Sequence, residues 1–415
     1  MYKRYATRFL IISFFIFGQA AQAMNMILPR HAWVKAERRP EYMMQLSCLG
    51  QFSFGEAKAY NEDGCSVNVL RMFDADQNAL KMLDGFDSET DIGQRRIRIG
   101  ANDDGVRGHF LVNGDLNAHG LAFSGRWSLP YNFSFAVHVP FYFMSLKNVC
   151  WQDQTQNFTA DDARTKEHLT DSFFANVAEL GDGLYLGGWE RYGAGDLSLM
   201  FEWLEDFRQE KPFLKNVRVN VRSGLSLPSG KKRDEDKIFA LPFGNDGAVA
   251  VFLGAGLDLT LGTYARAGLD VELKHAFGNT RCRRIKTAEE QTELLLLAKT
   301  RVFKDFALSQ RFTLYAQGYK FWRGFSCSAA YQFFRRGDEK LCLFDHTYSE
   351  EIANTATSLQ ERTMHNMLFS LSYDFEDEFK DSRIHPYASV FVQVPFNGTL
   401  SAMVNSVGFL FSVDF

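Results

Sequence analysis

Charged side chains alternate with apolar ones through the middle of the chain, and this arrangement could bind or pass a polar solute. Successive side chains of a strand point to opposite faces, so each segment has one charged and one apolar face. A ring of one sign would predict ion selectivity, whereas mixed signs predict lateral ion pairs and a narrow passage. The residues that we expect to line this passage are Glu202, Arg218, Arg222, Asp258, Arg266, Asp270, Glu272 and Lys274, continued by Glu293, Lys299 and Arg301.

Three histidines, His109, His119 and His138, lie near serines on segments with strand character. Acyl transfer would need a nucleophile, a base and an orienting acid within reach of one another. The sequence contains neither a Gly-x-Ser-x-Gly nor a His-Glu-x-x-His motif. A lone histidine on a strand is more often structural. We therefore predict no catalytic residues, no enzymatic activity and no cofactor.

The acidic pair Asp74 and Asp76 could contribute to a calcium site. An EF-hand would need oxygen ligands over twelve residues, a central glycine and a closing glutamate, and that pattern is absent, so we predict no metal site. The six cysteines show no CxxC spacing. Cys327 and Cys342 bracket the start of a long loop and are the best candidates for a disulfide. The alternative is that most cysteines are small buried or lipid-facing residues.

Alternation with a period of two predicts the strands that carry these side chains. Between 132 and 146, six consecutive odd-numbered positions from Phe133 to Phe143 are apolar. Aromatic side chains occupy odd-numbered positions both before and after Gly324. This pattern favours a single long strand that spans residues 310–334. The twelve predicted strands are 42–58, 107–129, 132–146, 194–206, 215–227, 247–261, 264–277, 290–303, 310–334, 363–376, 384–396 and 403–415.

The connections between these strands differ in length at the two ends of the array. Counted back from the last strand, 377–383, 304–309, 260–263, 207–213 and 129–131 share one end and are short. The long connections 335–362, 277–289, 228–246, 147–193 and 59–106 share the other end, where only 397–402 is short. A two-layer sandwich gives no reason for this segregation. The segregation of short and long connections predicts an all-β fold: an antiparallel transmembrane β-barrel of about twelve strands (range 10–14) with short periplasmic turns and long extracellular loops.

One of the long loops carries a predicted helix. Ala163, Leu169, Phe173 and Val177 recur at roughly helical spacing between 161 and 180. This single short helix could lie over or inside the mouth of the barrel, or form an external cap.

The amino-terminal 23 residues have the form of a secretory signal peptide. Lys3, Arg4 and Arg8 precede an apolar core, and Ala21-Gln22-Ala23 resembles a cleavage site. The core is too short to span a bilayer as a helix, which takes about 20 residues. We therefore expect an exported protein with one domain, residues 24–415. Forty Phe and 32 Gly suit strands and turns, and a net charge of −4 argues against a nucleic-acid partner.

The last thirteen residues predict the closing strand. Val407, Phe409, Phe411, Val413 and Phe415 share one face, and the other face is mostly small or polar. Such an ending is typical of bacterial outer-membrane barrels, in which the barrel-assembly machinery recognises it. The expected location is the outer membrane, with membrane lipid and the assembly machinery as partners.

Two short motifs resemble a known family. Gly193-Ala194-Gly195-Asp196-Leu197 opens one strand, and Gly224-Leu225-Ser226-Leu227-Pro228-Ser229-Gly230 ends the next. They resemble outer-membrane channels associated with phenol-degradation pathways, which are distantly similar to the long-chain fatty-acid transporter barrels. The amino-terminal plug signature Asn-Pro-Ala of those transporters is missing from Met24 onward. The resemblance implies a passive channel or transporter for small solutes, hydrophobic ones among them. The alternative is a non-conducting structural or adhesin-like barrel.

Overall fold

Twelve antiparallel strands close into a barrel in which every strand pairs with its neighbours along the chain. The computed structural model describes residues 27–28, 42–100, 105–376, 378–379 and 382–415. The circle closes where the first strand pairs with the last. The strands are β1 (Met44–Ser53), β2 (His109–Ser128), β3 (Phe133–Asp153), β4 (Leu197–Arg208), β5 (Leu214–Leu227), β6 (Ala250–Leu261), β7 (Ala265–Ala276), β8 (Ser309–Trp322), β9 (Phe325–Arg336), β10 (Arg362–Asp374), β11 (His385–Thr399) and β12 (Ser406–Asp414). The predicted all-β barrel is confirmed.

The alternating pattern places the apolar side chains on the outside of this barrel. On β12, Val407, Phe409 and Phe411 are exposed, whereas Ser406 and Ser412 are buried in the interior. The same division holds around the circle, with exposed leucine, valine and phenylalanine side chains on the outward faces. A soluble protein rarely exposes so large a continuous apolar surface. The outer face is therefore suited to the hydrocarbon of a bilayer.

Two of the twelve predicted strands are wrong. One of them forms two strands and the other forms none in the barrel, so the total remains twelve. Residues 310–334 form two strands, because Arg323 (φ 43°) and Gly324 (φ 84°) make a two-residue turn between β8 and β9. In such a hairpin, directly opposite residues have opposite parity, so odd-numbered Tyr315 faces inward and odd-numbered Tyr331 faces outward. Residues 290–303 contribute no barrel strand; Leu294 and Leu295 are buried outside the barrel wall.

With these corrections, the two ends of the barrel still differ as predicted. The connections at one end, 129–132, 209–213, 262–264, 323–324 and 375–384, are short. The connections at the other end, 54–108, 154–196, 228–249, 277–308 and 337–361, are long, and 400–405 is the short exception. We call these the short-turn end and the long-loop end.

The long connections fold together into a compact layer over the long-loop end, which we call the cap. β2 and β3 have 20 and 21 residues and extend into it beyond the barrel wall. The ring of Phe110 on β2 stacks on that of Phe173, with centroids 4.0 Å apart. The cap contains short strands at Lys58–Tyr60, Ser66–Asn68, Gln77–Asn78, Trp189–Ala194, Asn279–Arg284, Lys299–Asp305 and Lys340–Leu343, and the helices α1 (Asp91–Ile99), α2 (Ala160–Thr165), α3 (Phe173–Leu180) and α4 (Glu350–Ala353).

The predicted helix over 161–180 is interrupted. Thr159 and Asp162 form a reciprocal capping box that starts α2. A π-helical turn at Lys166–Thr170 lies between α2 and α3. Leu169 of the π-helical turn and Phe173 and Val177 of α3 direct their apolar side chains into the core of the cap. The segment therefore lies over the mouth of the barrel as part of the cap. None of the described helices is long and apolar enough to span a bilayer.

The predicted disulfide between Cys327 and Cys342 is wrong. All six cysteines are free. Cys327 lies on the outward face of β9, opposite Gly318, near the short-turn end. Cys342 pairs with Phe303 in the cap, at the other end of the molecule. The predicted signal peptide, residues 1–23, lies outside the described residues.

Candidate functional site in the barrel lumen

A network of ion pairs crosses the lumen, and Arg222 is at its centre. The Arg222 side chain is 1% exposed. Its two Nη atoms donate to both carboxylate oxygens of Asp270, at 2.6 and 2.7 Å. Glu272 accepts a further bond from Arg222 at 3.1 Å and one from Arg311 at 2.7 Å. Buried arginine and carboxylate groups are stable only when paired in this way.

Arg222 reaches past a whole strand to make these contacts. It lies on β5 and its partners lie on β7, so the intervening positions on β6 must leave space. Directly opposite Arg222 on β6 is Gly254, and a Cβ atom there would lie 2.5 Å from the guanidinium. Gly256 lies opposite Asp270. Gly254 and Gly256, two residues apart on the inward face of β6, are therefore the feature of the sequence that could have indicated a side chain crossing this strand.

The other predicted lining residues also lie on inward faces of β4 to β7. Arg218 makes a bidentate pair with Asp206 at 2.9 Å. Asp258 accepts a hydrogen bond from Tyr315, and Arg266 lies 3.5 Å over the ring centre of Tyr319. The carboxylate of Glu202 accepts a hydrogen bond from Asn220 and lies 3.3 Å from Arg126. Lys274 lines a cavity in the lumen. Glu293, Lys299 and Arg301 lie in the connection 277–308 instead, because the predicted strand that carried them is not part of the barrel.

Two adjoining cavities lie in the lumen above this network. The larger has a volume of about 60 Å³ and is lined by Glu272, Lys274 and Arg311 on one side and Phe243 on another. The smaller, of about 20 Å³, includes Leu28 in its lining. Both cavities share His138, Pro140 and Tyr142, three inward residues of β3. The lumen is therefore narrow at this level.

The connection 228–249, which we call the inserted loop, closes the larger cavity from the long-loop end. Its residues Phe243, Gly244 and Asn245 form part of the cavity lining. The phenyl ring of Phe243 is buried, with its centre 5.9 Å from that of Tyr142. The inserted loop is thus the part of the cap that enters the mouth of the barrel.

The two motifs that carry the family resemblance hold the inserted loop in place. The carboxylate of Asp196 accepts backbone N–H bonds from Gly230 at 2.8 Å and from Asn245 at 2.5 Å, at the two ends of the loop. Burial raises the pKa of the Asp196 carboxyl above its usual value. Position 195 must be glycine for the loop to approach this closely, because a Cβ atom at Gly195 would lie 2.7 Å from the carbonyl oxygen of Phe243. The sequence alone did not indicate that these motifs meet.

Arg191 supplies the second attachment of the inserted loop. One Nη atom donates to the carbonyl of Leu241 at 2.6 Å, and the other donates to the carbonyl of Lys232. Its guanidinium also lies 5.1 Å from the ring centre of Phe243. Further contacts anchor the same loop: Trp189 donates to the carbonyl of Ile238 at 2.8 Å, and Arg281 and Arg283 pair with Asp246.

The histidines considered as catalytic candidates take part in local packing. His138 is hydrogen-bonded through Nδ1 to Ser124 at 2.5 Å, its directly opposite residue on β2. His119 stacks on Phe143, and His109 contacts Asp76 at 2.6 Å.

The acidic pair considered as a calcium site is divided between two partners. Asp76 contacts His109, whereas Asp74 accepts the backbone N–H of Glu293 at 2.8 Å. Among the described residues, no group of three or more potential metal ligands comes together. Burial, together with the nearby charge of Glu293, raises the pKa of Asp74 from 3.8 to about 6.

Asp74 should make the cap less stable as the pH rises. Because its folded pKa lies above its unfolded pKa, the folded state holds the proton more tightly, and this stabilising contribution is lost as the pH rises from about 4 through 6. Hydrogen exchange of the amides at 74–78 and 292–295, corrected for intrinsic rates, should be faster at pH 7.5 than at pH 5. Asp74→Asn should remove this difference, and Glu62→Gln, an exposed change in the same connection 54–108, should keep it. Equal pH dependence in Asp74→Asn would contradict the assignment.

No protein-family model and no curated protein matches the sequence. Solved outer-membrane proteins are similar in structure. An outer membrane channel from Pseudomonas putida F1 is 12% identical, with a TM-score of 0.49 over 91% of this chain and 97% of that chain. A Pseudomonas aeruginosa FadL homologue is 8% identical, with a TM-score of 0.30 over 90% of each chain. The Ralstonia pickettii toluene transporter TbuX is 9% identical, with a TM-score of 0.34 over 90% of this chain and 89% of that chain.

Proposed function

We propose that this protein is an outer-membrane channel for small solutes and that the inserted loop is its gate. The observation that carries the proposal is the way in which residues 228–249 occupy the mouth of the barrel. They close a cavity that the inward faces of the barrel strands otherwise leave open. Arg191 and Asp196 hold them through four hydrogen bonds to the backbone of this segment. A gate needs a closed and an open state that differ by the movement of a loop or domain.

The outer surface of the barrel supports the membrane location. Exposed apolar side chains surround it, and the chain has the short turns and long loops expected of outer-membrane barrels. In that orientation the cap and the inserted loop face the outside of the cell. Recognition of β12 by the assembly machinery stays a prediction.

The cavity lining favours small solutes with both polar and apolar parts. Phe243, Tyr142 and Pro140 give it apolar surface, while Glu272 and Lys274 give it charge. Volumes of about 60 and 20 Å³ admit only small groups without movement of the gate. The described loops pack into the cap instead of projecting freely, which does not support an adhesin.

Releasing the inserted loop should therefore increase conductance. Asp196→Ala removes the acceptor for the N–H groups of Gly230 and Asn245, each bond to a charged acceptor being worth about 1.5–3 kcal/mol. In planar bilayers the purified wild-type protein should show rare openings, and Asp196→Ala should show frequent ones. Glu190→Ala, an exposed change on the neighbouring strand, should behave like the wild type. Silence of both the wild type and Asp196→Ala would favour the non-conducting structural barrel.

A further inference from the structure

Two arginines stand directly opposite each other where the barrel meets the cap. Arg336 at the end of β9 pairs in register with Arg362 at the start of β10. Both side chains face the interior, with 4% and 9% of the residue exposed. Like charges directly opposite each other on adjacent strands destabilise a sheet. A buried pair of this kind needs an anionic neighbour.

Among the described residues, the carboxylates that act on these groups are those of Glu339 and Glu293. The carboxylate of Glu339 lies 3.0 Å from Arg336 and 2.8 Å from Lys304. Glu293 acts on Arg362 electrostatically, but its Oε1 atom is engaged by the backbone N–H of Ser358 at 3.1 Å. Three cations thus face two carboxylates. Burial, together with the nearby charges of Arg283 and Arg336, lowers the pKa of Lys304 to about 8 against the attraction of Glu339.

Hydrogen-bond donors of this cluster also remain unused. The Nη2 atom of Arg336 donates to Glu339, and that of Arg362 donates to the carbonyl of Ser358. The Nε atoms of both arginines are buried and have no hydrogen-bond partner among the described residues. An unpaired buried donor destabilises the folded state, and more so when it belongs to a charged group. Two such donors beside an excess positive charge are the features of an anion site.

We propose that Arg336, Arg362 and Lys304 form a binding site for a small oxyanion at the boundary between the barrel and the cap. Guanidinium groups match the geometry of phosphate and carboxylate oxygens and bind them with charge-assisted hydrogen bonds. Lys304 belongs to the cap, whereas both arginines belong to the barrel wall. A bound oxyanion therefore joins the cap to β9 and β10. This site does not depend on conduction through the lumen.

Inorganic phosphate tests the site directly. Titration calorimetry and thermal unfolding of the purified protein, at constant ionic strength against chloride, should show saturable binding and a raised midpoint. The double variant Arg336→Gln/Arg362→Gln should lose both effects. Arg335→Gln is the matched control, because Arg335 is the exposed neighbour on β9 and pairs with Glu361. Phosphate binding that is equal in all three proteins would overturn the proposal.

A second variant keeps the test valid if the double variant does not fold. Glu339→Gln removes one of the competing carboxylates and should tighten phosphate binding several-fold. A role limited to internal salt bridges predicts unchanged or absent phosphate binding in this variant, and that result would also overturn the proposal. Acetate in competition with phosphate identifies the source of the oxyanion. Displacement by acetate at similar concentrations indicates the carboxylate of a solute, whereas failure of acetate to displace phosphate indicates a phosphate-type ligand.

Discussion

Replacing Arg222 with alanine should destabilise the barrel by about 3–5 kcal/mol, the cost of leaving buried charges without their partner. Asp270 and Glu272 would keep their positions on β7 while losing the guanidinium that neutralises them. Water and ions should enter to solvate these carboxylates, so the lumen should widen as the stability falls. Urea unfolding in detergent micelles measures the first effect, and single-channel conductance with cation selectivity measures the second.

The control for this substitution is Arg208→Ala. Arg208 is exposed at the short-turn end of β4, so its loss should change the unfolding free energy little. An Arg222→Ala protein with the unfolding midpoint and conductance of Arg208→Ala would show that the ion-pair network neither stabilises the barrel nor narrows it. Asp270→Asn should weaken the same network less, because its amide oxygen can still accept a hydrogen bond from Arg222.

Gly324→Ala should largely prevent formation of the barrel. Gly324 has a φ of 84°, and a Cβ atom there would lie 2.3 Å from the carbonyl oxygen of Asp374. That oxygen belongs to the backbone at the end of β10, so the strand itself would have to move. The fraction of folded protein, measured by its altered gel mobility without heating, should fall to a small part of the wild-type value.

Gly262→Ala separates the two causes of this defect. Gly262 also has a positive φ, 62°, in a turn at the same end, but no atom lies within 4 Å of the added Cβ. It should therefore show only the conformational cost of about 1–2 kcal/mol. If both variants assembled equally well, the contact with Asp374 would be irrelevant and the strain of the turn alone would remain.

The sequence predicted most of the barrel because the period of two is a local property. The faces of β3 and β12 followed directly from alternation, and the difference in connection length indicated the two ends. The turn at Arg323 and Gly324 was not predicted, because aromatic residues occupy odd-numbered positions on both sides of it. Parity predicts a common face only within one strand, and a two-residue hairpin reverses the relation. The segment 290–303 was wrongly predicted as a barrel strand, because its leucines pack in the core of the cap.

The site was predictable only as a set of residue types. Alternation assigned Arg222, Asp270 and Glu272 to inward faces, yet their contact crosses β6 and depends on Gly254. Register between strands that are not adjacent cannot be derived from a local pattern. The hydrogen bonds of Asp196 to the inserted loop were hidden for the same reason, since 34 and 49 residues separate the partners.

The core of the cap has a consequence for the order of assembly. It brings together Ala57 and Leu80 from the first long connection, Phe239 and Leu295 from the middle of the chain, and Ala402 from the short connection 400–405. Contacts between such distant segments are slow to form, because the entropy of closing long loops must first be overcome. The barrel pairs consecutive strands, and once β1 and β12 close it, all the long connections are held at one end, where they can pack together. An uncovered cylinder should therefore precede the finished protein, and the cap should be the last unit to form and the first to open.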